Sequence, residues 1–206
     1  MSDVQQGQTD VDAKVILLGM SDVGKTCLFQ RFLNDRFVAD SSATIGASYG
    51  EKHITVDGKE VVIGLWDTAG SERYESMTRM YYRGANVALV CYDLTQAISL
   101  EKVKKWTEEL HANERDCIVF IVGTKLDMTK SNAYTRALSP ENVIAFAGTL
   151  GVPEERIFET SAETGEGVKA LFDAVARCCS KNMKEKDKKG IMLEGGGQQR
   201  TGGCGC

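Results

Sequence analysis

The sequence has few of the residues on which histidine catalysis and disulfide frameworks depend. Its two histidines, His53 and His111, stand far apart, which argues against a histidine-based triad or metal cluster. The seven cysteines are odd in number and lack zinc-type spacing. That usage indicates a reducing compartment and not a disulfide-bonded secreted domain.

Long hydrophobic runs and a strong excess of one charge are also missing. No apolar run approaches the roughly 18 to 20 residues that a membrane-spanning helix needs. The first twelve residues are polar and acidic, so a secretory signal is not expected. A net charge of -4 gives no reason to expect a nucleic acid partner. With 206 residues and 42% hydrophobic content, the chain can form one domain with a sizeable core.

The most informative segment begins at Gly19 and reads GMSDVGKT, which matches the phosphate-binding pattern G-x-x-x-x-G-K-[ST]. An apolar run precedes it and an amphipathic stretch follows, which predicts a strand, a loop and a helix. Gly19 and Gly24 allow the backbone to wrap closely around an anion. Lys25 supplies a positive charge for the β- and γ-phosphates, and the Thr26 hydroxyl can ligate Mg²⁺. We interpret the segment as a nucleoside triphosphate site, the alternative being a chance glycine-rich turn.

The segment Thr124-Lys125-Leu126-Asp127 predicts the base. It follows the apolar residues 118–122, so it lies at the carboxyl end of a strand, where open α/β sheets bind ligands. A carboxylate at Asp127 can accept hydrogen bonds from guanine N1–H and the 2-amino group, whereas adenine lacks this donor pair. The Lys125 stem can lie along the purine face. Downstream, Thr160-Ser161-Ala162 can supply backbone donors to the guanine carbonyl. The sequence therefore predicts a guanine nucleotide.

A third segment, Trp66-Asp67-Thr68-Ala69-Gly70, lies between these two. Asp67 ends an alternating apolar strand and is placed to hold a water molecule on Mg²⁺. The Gly70 N–H can reach a γ-phosphate. Thr44 lies in a polar segment without helical or strand period and is a candidate second hydroxyl ligand. We therefore predict that Thr26, Thr44 and Asp67 form the metal site.

Hydrophobic periodicity predicts an α/β fold. Uninterrupted apolar runs at residues 15–18, 87–90 and 118–122 are typical of strands buried on both faces of a mostly parallel sheet. Helical stripes alternate with them. Asp57-Gly58 is a hairpin signal, which predicts one antiparallel edge pair. Residues 35–43 and 71–79 fit neither period, and we expect them to be loops that order only around a γ-phosphate.

Taken together, the motifs resemble those of Ras-superfamily small GTPases and, more narrowly, of the Rab proteins. The resemblance covers about residues 12 to 180, and Rab-like features include residues 67–74, residues 81–85 and the ending Cys204-Gly205-Cys206. It implies a P-loop NTPase fold with a six-stranded, mostly parallel sheet, one antiparallel edge strand and helices on both faces. It also implies that the Phe37 ring lies against the guanine. The predicted nucleotide-binding set is Ser21, Asp22, Val23, Gly24, Lys25, Thr26, Cys27, Phe37, Thr44, Gly70, Thr124, Lys125, Asp127, Ser161, Ala162 and Glu163.

The domain organisation follows from where the patterns begin and end. We expect a flexible segment at residues 1–12, a small GTPase domain at residues 13–181 and a flexible hypervariable tail at residues 182–206. Prenylation of both Cys204 and Cys206 is predicted, the alternatives being chance thiols or half of a metal site. Such a protein would be cytoplasmic and attach peripherally to the cytosolic face of intracellular membranes through its prenyl groups.

The resemblance also implies protein partners. Tyr49, Trp66 and Tyr81 match an aromatic triad with which Rab proteins contact effectors, and packing of these rings in the core is the alternative. We expect a monomer that interacts with effectors, an exchange factor, a GTPase-activating protein and prenyl-carrier proteins.

Four residues in these motifs depart from the family pattern, one of them Glu163, where many relatives have lysine or another residue. Ser71 stands where the family usually has the glutamine that orients the attacking water, Asp22 replaces a common glycine, and Thr124 replaces a common asparagine. With serine at position 71, the chain resembles an atypical branch of the Rab proteins. Gly70 and Ser71 are the predicted catalytic positions, and we expect a vesicle-trafficking switch with slow GTP hydrolysis. The alternatives are a membrane binding module that stays GTP-bound and, more remotely, a P-loop kinase or ATPase.

Overall fold

The computed structural model describes residues 11–39, 44–70, 80–130 and 135–194, with side chains as far as residue 181. One six-stranded sheet with the strand order β2-β3-β1-β4-β5-β6 organises these residues. The strands are β1 Ala13–Leu18, β2 Ala47–Val56, β3 Lys59–Thr68, β4 Val87–Asp93, β5 Ile118–Thr124 and β6 Ile157–Glu159.

The sheet is parallel except at one edge, where β2 pairs antiparallel with β3. Asp57 and Gly58 form the turn between them with φ angles of 51° and 71°. Two successive positive φ angles are those of a type I′ hairpin turn, which matches the twist of the flanking strands. The predicted hairpin and the predicted mostly parallel sheet are both confirmed.

Besides helical residues 80–82 and a 3₁₀ turn at Glu154–Arg156, the described residues form five α-helices, four between strands and one after β6. They are α1 Lys25–Asn34, α2 Ala97–Asn113, α3 Leu126–Lys130, α4 Pro140–Thr149 and α5 Val168–Glu194. Helix α4 begins where the sequence predicts, because the Ser139 hydroxyl accepts the Asn142 N–H at 3.3 Å and Pro140 occupies the first helical position.

Helix α5 differs from its sequence-based prediction. It continues to Glu194, whereas the flexible tail was expected to begin at residue 182. The helix therefore extends past the residue at which the tail is predicted to begin. The expectation rested on the loss of an apolar stripe, and a helix needs such a stripe only where it packs against a core. The limits of the predicted domains and the flexible tail stay predictions.

Two apolar layers cover the two faces of the sheet. Along β1, Val15 and Leu17 belong to the layer that contains Phe172, while the alternate residues Ile16 and Leu18 belong to the layer that contains Trp106. Strands covered on both faces need apolar side chains at every position, which explains their unbroken hydrophobic runs. Full burial of one leucine or isoleucine side chain contributes about 1.5–3 kcal/mol to the stability of the fold.

This arrangement brings the carboxyl ends of β1, β3, β4 and β5 to the same edge of the sheet, where open α/β sheets bind their ligands. Gly19 follows β1 at this edge with a φ of 135°, and a Cβ atom there would lie 2.3 Å from the Cys91 carbonyl oxygen. Only glycine therefore allows the loop after β1 to pass this close to β4. Among the described helices, none combines the length and the apolar character of a membrane span.

Candidate functional site

A cavity of about 560 Å³ opens at this edge. It is lined by every residue of the predicted nucleotide-binding set except Val23 and Ser161, which are buried behind its wall. The structure thus brings together residues from segments more than 100 positions apart. The cavity is also lined by Thr68 and Thr160, which lie within the predicted motifs, and by Leu28, Ala39 and Met128, for which the sequence gives no motif signal.

One end of the cavity is formed by the N-terminus of α1. Gly24 precedes the helix with a φ of 93°, and no side chain of a described residue caps the helix there. Because the first N–H groups of a helix have no intrahelical partners, an uncapped N-terminus favours an anion. Lys25, Thr26 and Cys27 line the cavity from this first turn. We refer to this region as the phosphate end.

Lys25 is almost fully buried, with 5% of its surface exposed. Its Nζ donates to the carbonyl oxygens of Gly19 at 2.9 Å and Met20 at 2.7 Å. Burial lowers the pKa of Lys25, and this effect is opposed by the negative charges of Asp67 and Asp22. Neutral carbonyls compensate a buried ammonium group less well than an anion would. Lys25 is therefore a cation suited to an anionic ligand.

The predicted metal residues also meet at the phosphate end. Thr26 Oγ1 donates to Asp67 Oδ2 at 2.8 Å, and Thr44 Oγ1 lies 3.0 Å from Thr26 Oγ1 and 3.3 Å from Asp67 Oδ2. Asp67 is fully buried, and its Oδ1 atom has no hydrogen-bond partner among the described residues. Burial raises the pKa of Asp67, although the threonine hydroxyls and Lys25 act in the opposite direction.

This donor set fits a hard divalent cation, because its donors are oxygen atoms and one buried carboxylate oxygen has no partner within the described ranges. The described residues contain no group of three or more histidine, cysteine, aspartate or glutamate side chains that could enclose a metal. The remaining ligands of a cation at Asp67 would thus be water and phosphate oxygens, as is usual for Mg²⁺.

Gly70 lines the phosphate end beside Lys25. A Cβ atom at Gly70 would lie 2.3 Å from Lys25 Nζ and 2.5 Å from the Met20 carbonyl. The close approach explains why glycine is needed at this position. Ser71, the predicted water-positioning residue, lies outside the described residues.

The opposite end of the cavity contains Asp127, and we refer to it as the base end. Ser161 donates to Asp127 Oδ1 at 2.5 Å, while its hydroxyl oxygen accepts the Thr164 N–H at 3.0 Å. Ser161 therefore supports the Asp127 carboxylate from behind the wall. This support role differs from direct lining of the cavity and explains why Ser161 is fully buried.

Thr124 joins the two ends. Its hydroxyl lies 2.5 Å from the Val23 carbonyl oxygen and 2.9 Å from that of Tyr92, so one hydroxyl hydrogen serves two acceptors. Val23 belongs to the phosphate-binding loop and Thr124 ends β5. The contact holds the loop against the sheet, and Val23 contributes through this backbone contact from a buried position.

Sequence reasoning missed two residues of the base end. Asp93 is 1% exposed, lies 2.7 Å from Lys125 Nζ and accepts two hydrogen bonds from Thr95. Its position at the end of β4 was an available signal, since ligand-site residues follow buried parallel strands. Arg31 on α1 donates to the carbonyl oxygens of Ala162 and Glu163. No sequence pattern could indicate that contact, which spans 131 positions.

The three predicted effector-contact aromatics form one group outside the cavity. The Tyr49 and Trp66 ring centroids lie 4.9 Å apart, and those of Trp66 and Tyr81 lie 5.6 Å apart. Lys14 Nζ lies 5.2 Å from the Trp66 ring, and burial lowers the pKa of Lys14. Tyr49 is 47% exposed and belongs to neither apolar layer, so packing in the core does not describe it.

Comparisons with known proteins agree with this architecture. The model of the Ras family matches residues 14–181. Ras-related protein Rab-24 of Dictyostelium discoideum is 45% identical over 169 residues, which cover 82% of this chain and 81% of that protein. The GTP-binding protein ypt5 of Schizosaccharomyces pombe is 38% identical over an alignment that covers 95% of this chain and 94% of that protein. Human Ras-related protein Rab-37 is also 38% identical, over 82% of this chain and 73% of that protein.

Proposed function

The chain belongs to the Ras family, as a Rab-type small GTPase, and on this premise we propose that it is a guanine-nucleotide switch for vesicle trafficking. It binds GTP and GDP together with Mg²⁺ and recruits effectors to the cytosolic face of intracellular membranes. Nucleotide occupancy changes the loops around the γ-phosphate, and partners distinguish the two states.

One observation carries the proposal: Lys25 and Thr26 line the same cavity as Asp127, at its opposite ends. A volume of about 560 Å³ suits a nucleotide, since sites for small molecules and cofactors span about 300–1,000 Å³. In this proposal Lys25 and the N-terminus of α1 hold the phosphates. Asp127 accepts guanine N1–H and the 2-amino group, and Phe37 lies against the base.

Mg²⁺ is part of the proposal. Thr26 and Thr44 would ligate it and Asp67 would hold one of its water molecules. The ion would neutralise charge that develops on the phosphates. The unpaired Asp67 Oδ1 supports this assignment, because it is a buried acceptor that a metal-bound water can satisfy.

The base assignment is tested by competition binding with GTP, ATP and xanthosine triphosphate. We expect the wild type to prefer GTP strongly. Asp127→Asn should weaken GTP binding and improve binding of xanthosine triphosphate, whose second carbonyl accepts from an amide. Glu163→Gln is a matched control that changes a carboxylate to an amide at the same end of the cavity. Tight ATP binding by the wild type would contradict the guanine proposal.

Slow hydrolysis is the second element of the proposal. Phosphoryl transfer depends mostly on positioning and charge stabilisation, and the short Ser71 side chain cannot span to the attacking water as glutamine does. Loss of one modest hydrogen-bonded orientation slows the reaction roughly ten- to a hundredfold. Gly70 would retain its contact with the γ-phosphate, and Asp22, which lines the phosphate end, would add repulsion.

Single-turnover hydrolysis of protein loaded with GTP and Mg²⁺ tests this element. Ser71→Gln should raise the intrinsic rate at least about tenfold. Equal rates in the two proteins would leave ordinary cycling as the function. Freshly purified wild type should retain GTP. If its hydrolysis is negligible even with activating proteins, the alternative of a permanently GTP-bound membrane module applies.

Membrane attachment is proposed to involve both Cys204 and Cys206, which lie outside the described residues. A single acyl chain binds membranes only marginally, so stable attachment needs a second signal. Residues 184–189 are only mildly basic because two acidic residues interrupt them. Two prenyl groups would satisfy the requirement, and a carrier protein would keep the modified chain in solution. Mass spectrometry of protein from cells tests this, and an unmodified Cys206 on membrane-bound protein would contradict it.

Effector contact is proposed for the group formed by Tyr49, Trp66 and Tyr81. Rigid aromatic side chains anchor interfaces, and these rings are contiguous and partly exposed on β2, β3 and the segment before β4. Tyr49→Ala and Tyr81→Ala should reduce effector binding without changing GTP affinity. An exchange factor and a GTPase-activating protein complete the proposed cycle.

A further inference from the structure

Arg31 makes contacts that bridge two segments at the base end. Its side chain is 15% exposed. The Nε atom donates to the Ala162 carbonyl at 2.5 Å, and Nη2 donates to the Glu163 carbonyl at 2.8 Å. The remaining nitrogen, Nη1, donates to the backbone and side-chain oxygens of Asp35 at 3.0 and 2.9 Å. One guanidinium group therefore fixes two consecutive carbonyls and the residue that ends α1.

The contact with Ala162 sets the direction of an N–H group. A trans peptide is planar, and its N–H points opposite to its C=O. The Ala162 carbonyl shares a peptide plane with the Glu163 N–H, so holding this carbonyl directs the Glu163 N–H away from the guanidinium. Ala162 and Glu163 both line the cavity. The loop that contains them has a further tie, because the Gly165 N–H donates to the Ser161 carbonyl at 2.9 Å.

The contact with Asp35 acts on the other wall of the same end. Asp35 has a φ of 51°, a left-handed conformation that is unfavourable for a non-glycine residue. Its N–H donates to the Arg31 carbonyl, and its own carbonyl and carboxylate both accept from Arg31. Phe37 follows two residues later and lines the cavity. Arg31 therefore supports the start of the segment that places the Phe37 ring.

We propose that Arg31 is a positioning residue for guanine: its guanidinium directs the Glu163 N–H toward the guanine carbonyl and stabilises the turn that places Phe37. The inference rests on the proposed guanine-nucleotide function. Arg31 touches neither base nor phosphate and acts through the loop of Ala162 and Glu163. The planar fork is essential, because lysine offers one flexible ammonium group in place of several fixed donors.

The test measures dissociation rates of GDP, GTP and 6-thio-GDP from full-length protein with Mg²⁺. In 6-thio-GDP a sulfur atom, which is a weak acceptor, replaces the guanine carbonyl oxygen, while the groups that pair with Asp127 remain. Arg31→Lys should release GDP and GTP about tenfold faster, by the same factor for both, because the phosphate end is unchanged. The same variant should release 6-thio-GDP only about threefold faster, since the misdirected donor matters less to a weak acceptor.

Two variants serve as controls. Arg36→Lys makes the same change at an exposed neighbour and should leave every rate unchanged. Asp35→Ala removes the exposed carboxylate but keeps the contacts of Arg31 with Ala162 and Glu163, so its effect should be smaller than that of Arg31→Lys. Arg31→Met removes the charge while retaining a long side chain, and should match or exceed Arg31→Lys.

Equal acceleration of GDP and 6-thio-GDP would overturn the proposal, because it would mean that Arg31 stabilises the fold without directing the donor. Unchanged GDP dissociation in both Arg31 variants would overturn it as well. Failure of the underlying function is separately recognisable, since the wild type would then bind ATP as tightly as GTP or bind no guanine nucleotide.

Discussion

The two ends of the cavity differ in how completely their polar groups are satisfied within the protein. At the base end, Asp127 is paired with Ser161, and Lys125 with the buried Asp93. At the phosphate end, within the part of the chain that the structure describes, Lys25 donates to two backbone carbonyls and Asp67 Oδ1 has no hydrogen-bond partner. The base end is therefore prepared by internal contacts, whereas the phosphate end contains groups whose stronger partners are a phosphate and a cation.

This difference explains how one site can be both selective and responsive. Groups that are already fixed lose little entropy when a base binds, and they reject a mismatched base because their geometry does not adapt. Groups that are poorly compensated gain most when an anion and a cation arrive. Affinity for the base would then vary little between GDP and GTP, while the phosphate end responds to the γ-phosphate.

The largest expected effect is a difference in nucleotide affinity between substitutions of Lys25 and Lys125, the two lysines that line the cavity. Lys25→Met should weaken GDP and GTP binding roughly a thousandfold, because a charge-assisted contact with the phosphates is lost. It should leave the ligand-free protein at least as stable, since burial already disfavours the Lys25 charge. Isothermal titration and thermal melting of the same preparations measure both quantities.

Lys125→Met is the matched control at the base end. It should weaken binding less, yet destabilise the ligand-free protein by about 1–2 kcal/mol, because Asp93 stays buried without its cation. Equal stability losses in the two variants would show that both ends are equally satisfied and would remove the basis of the comparison.

The next effect concerns Thr124, which ties the two ends together. Thr124→Val keeps the shape of the side chain but removes the hydroxyl from the Val23 and Tyr92 carbonyls. We expect a loss of about 1–3 kcal/mol in unfolding free energy, measured with urea. Thr124→Asn should retain stability, since an amide supplies two hydrogens where the hydroxyl supplies one. A fully stable Thr124→Val variant would mean that the tie contributes nothing.

A smaller effect is expected at Asp67, where the change in stability on substitution should have opposite signs without and with ligand. Its pKa is raised above the ordinary 3.8, so the folded chain binds this proton more tightly than the unfolded chain does. That contribution to stability is present below pH 3.8 and is lost as the pH rises through the raised pKa. At neutral pH without Mg²⁺, the Asp67→Asn variant should therefore melt about 2–4 °C above the wild type, which corresponds to a gain of about 1 kcal/mol in unfolding free energy.

Adding Mg²⁺ and GDP should reverse this order, because the charged carboxylate holds the hydrated cation more strongly than a neutral amide does. Melting curves recorded at several pH values, with EDTA or with Mg²⁺ and GDP, provide the measurement. Should Asp67→Asn melt below the wild type in EDTA as well, the buried carboxylate is satisfied within the protein and the contrast between the two ends is wrong at this residue.

The same contrast shows what the sequence could and could not predict. The phosphate loop, the Asp57-Gly58 hairpin and the position of Asp127 were accessible, because each depends on local residue types in a short segment. Asp93 and Arg31 were missed because their roles depend on partners that only the folded sheet brings close. The end of helix α5 could not be predicted, because an apolar stripe reports packing and a helix can continue without it.

The smallest effect is expected for the exposed ion pair of Lys130 and Glu166, and it tests whether surface contacts help to order the base end. Lys130 Nζ and Glu166 Oε1 lie 2.5 Å apart beside the loop that contains Ala162, but the two side chains are 57% and 49% exposed. Exposed ion pairs contribute at most about 1 kcal/mol and are screened by salt. Lys130→Ala should therefore change the unfolding free energy by less than about 0.5 kcal/mol and GDP dissociation by less than about twofold. Measurements at low and high salt check this, with Arg31→Lys as the comparison. If Lys130→Ala released GDP as fast as Arg31→Lys, surface charge would prepare the base end, and the buried contacts of Arg31 and Ser161 would not account for its order.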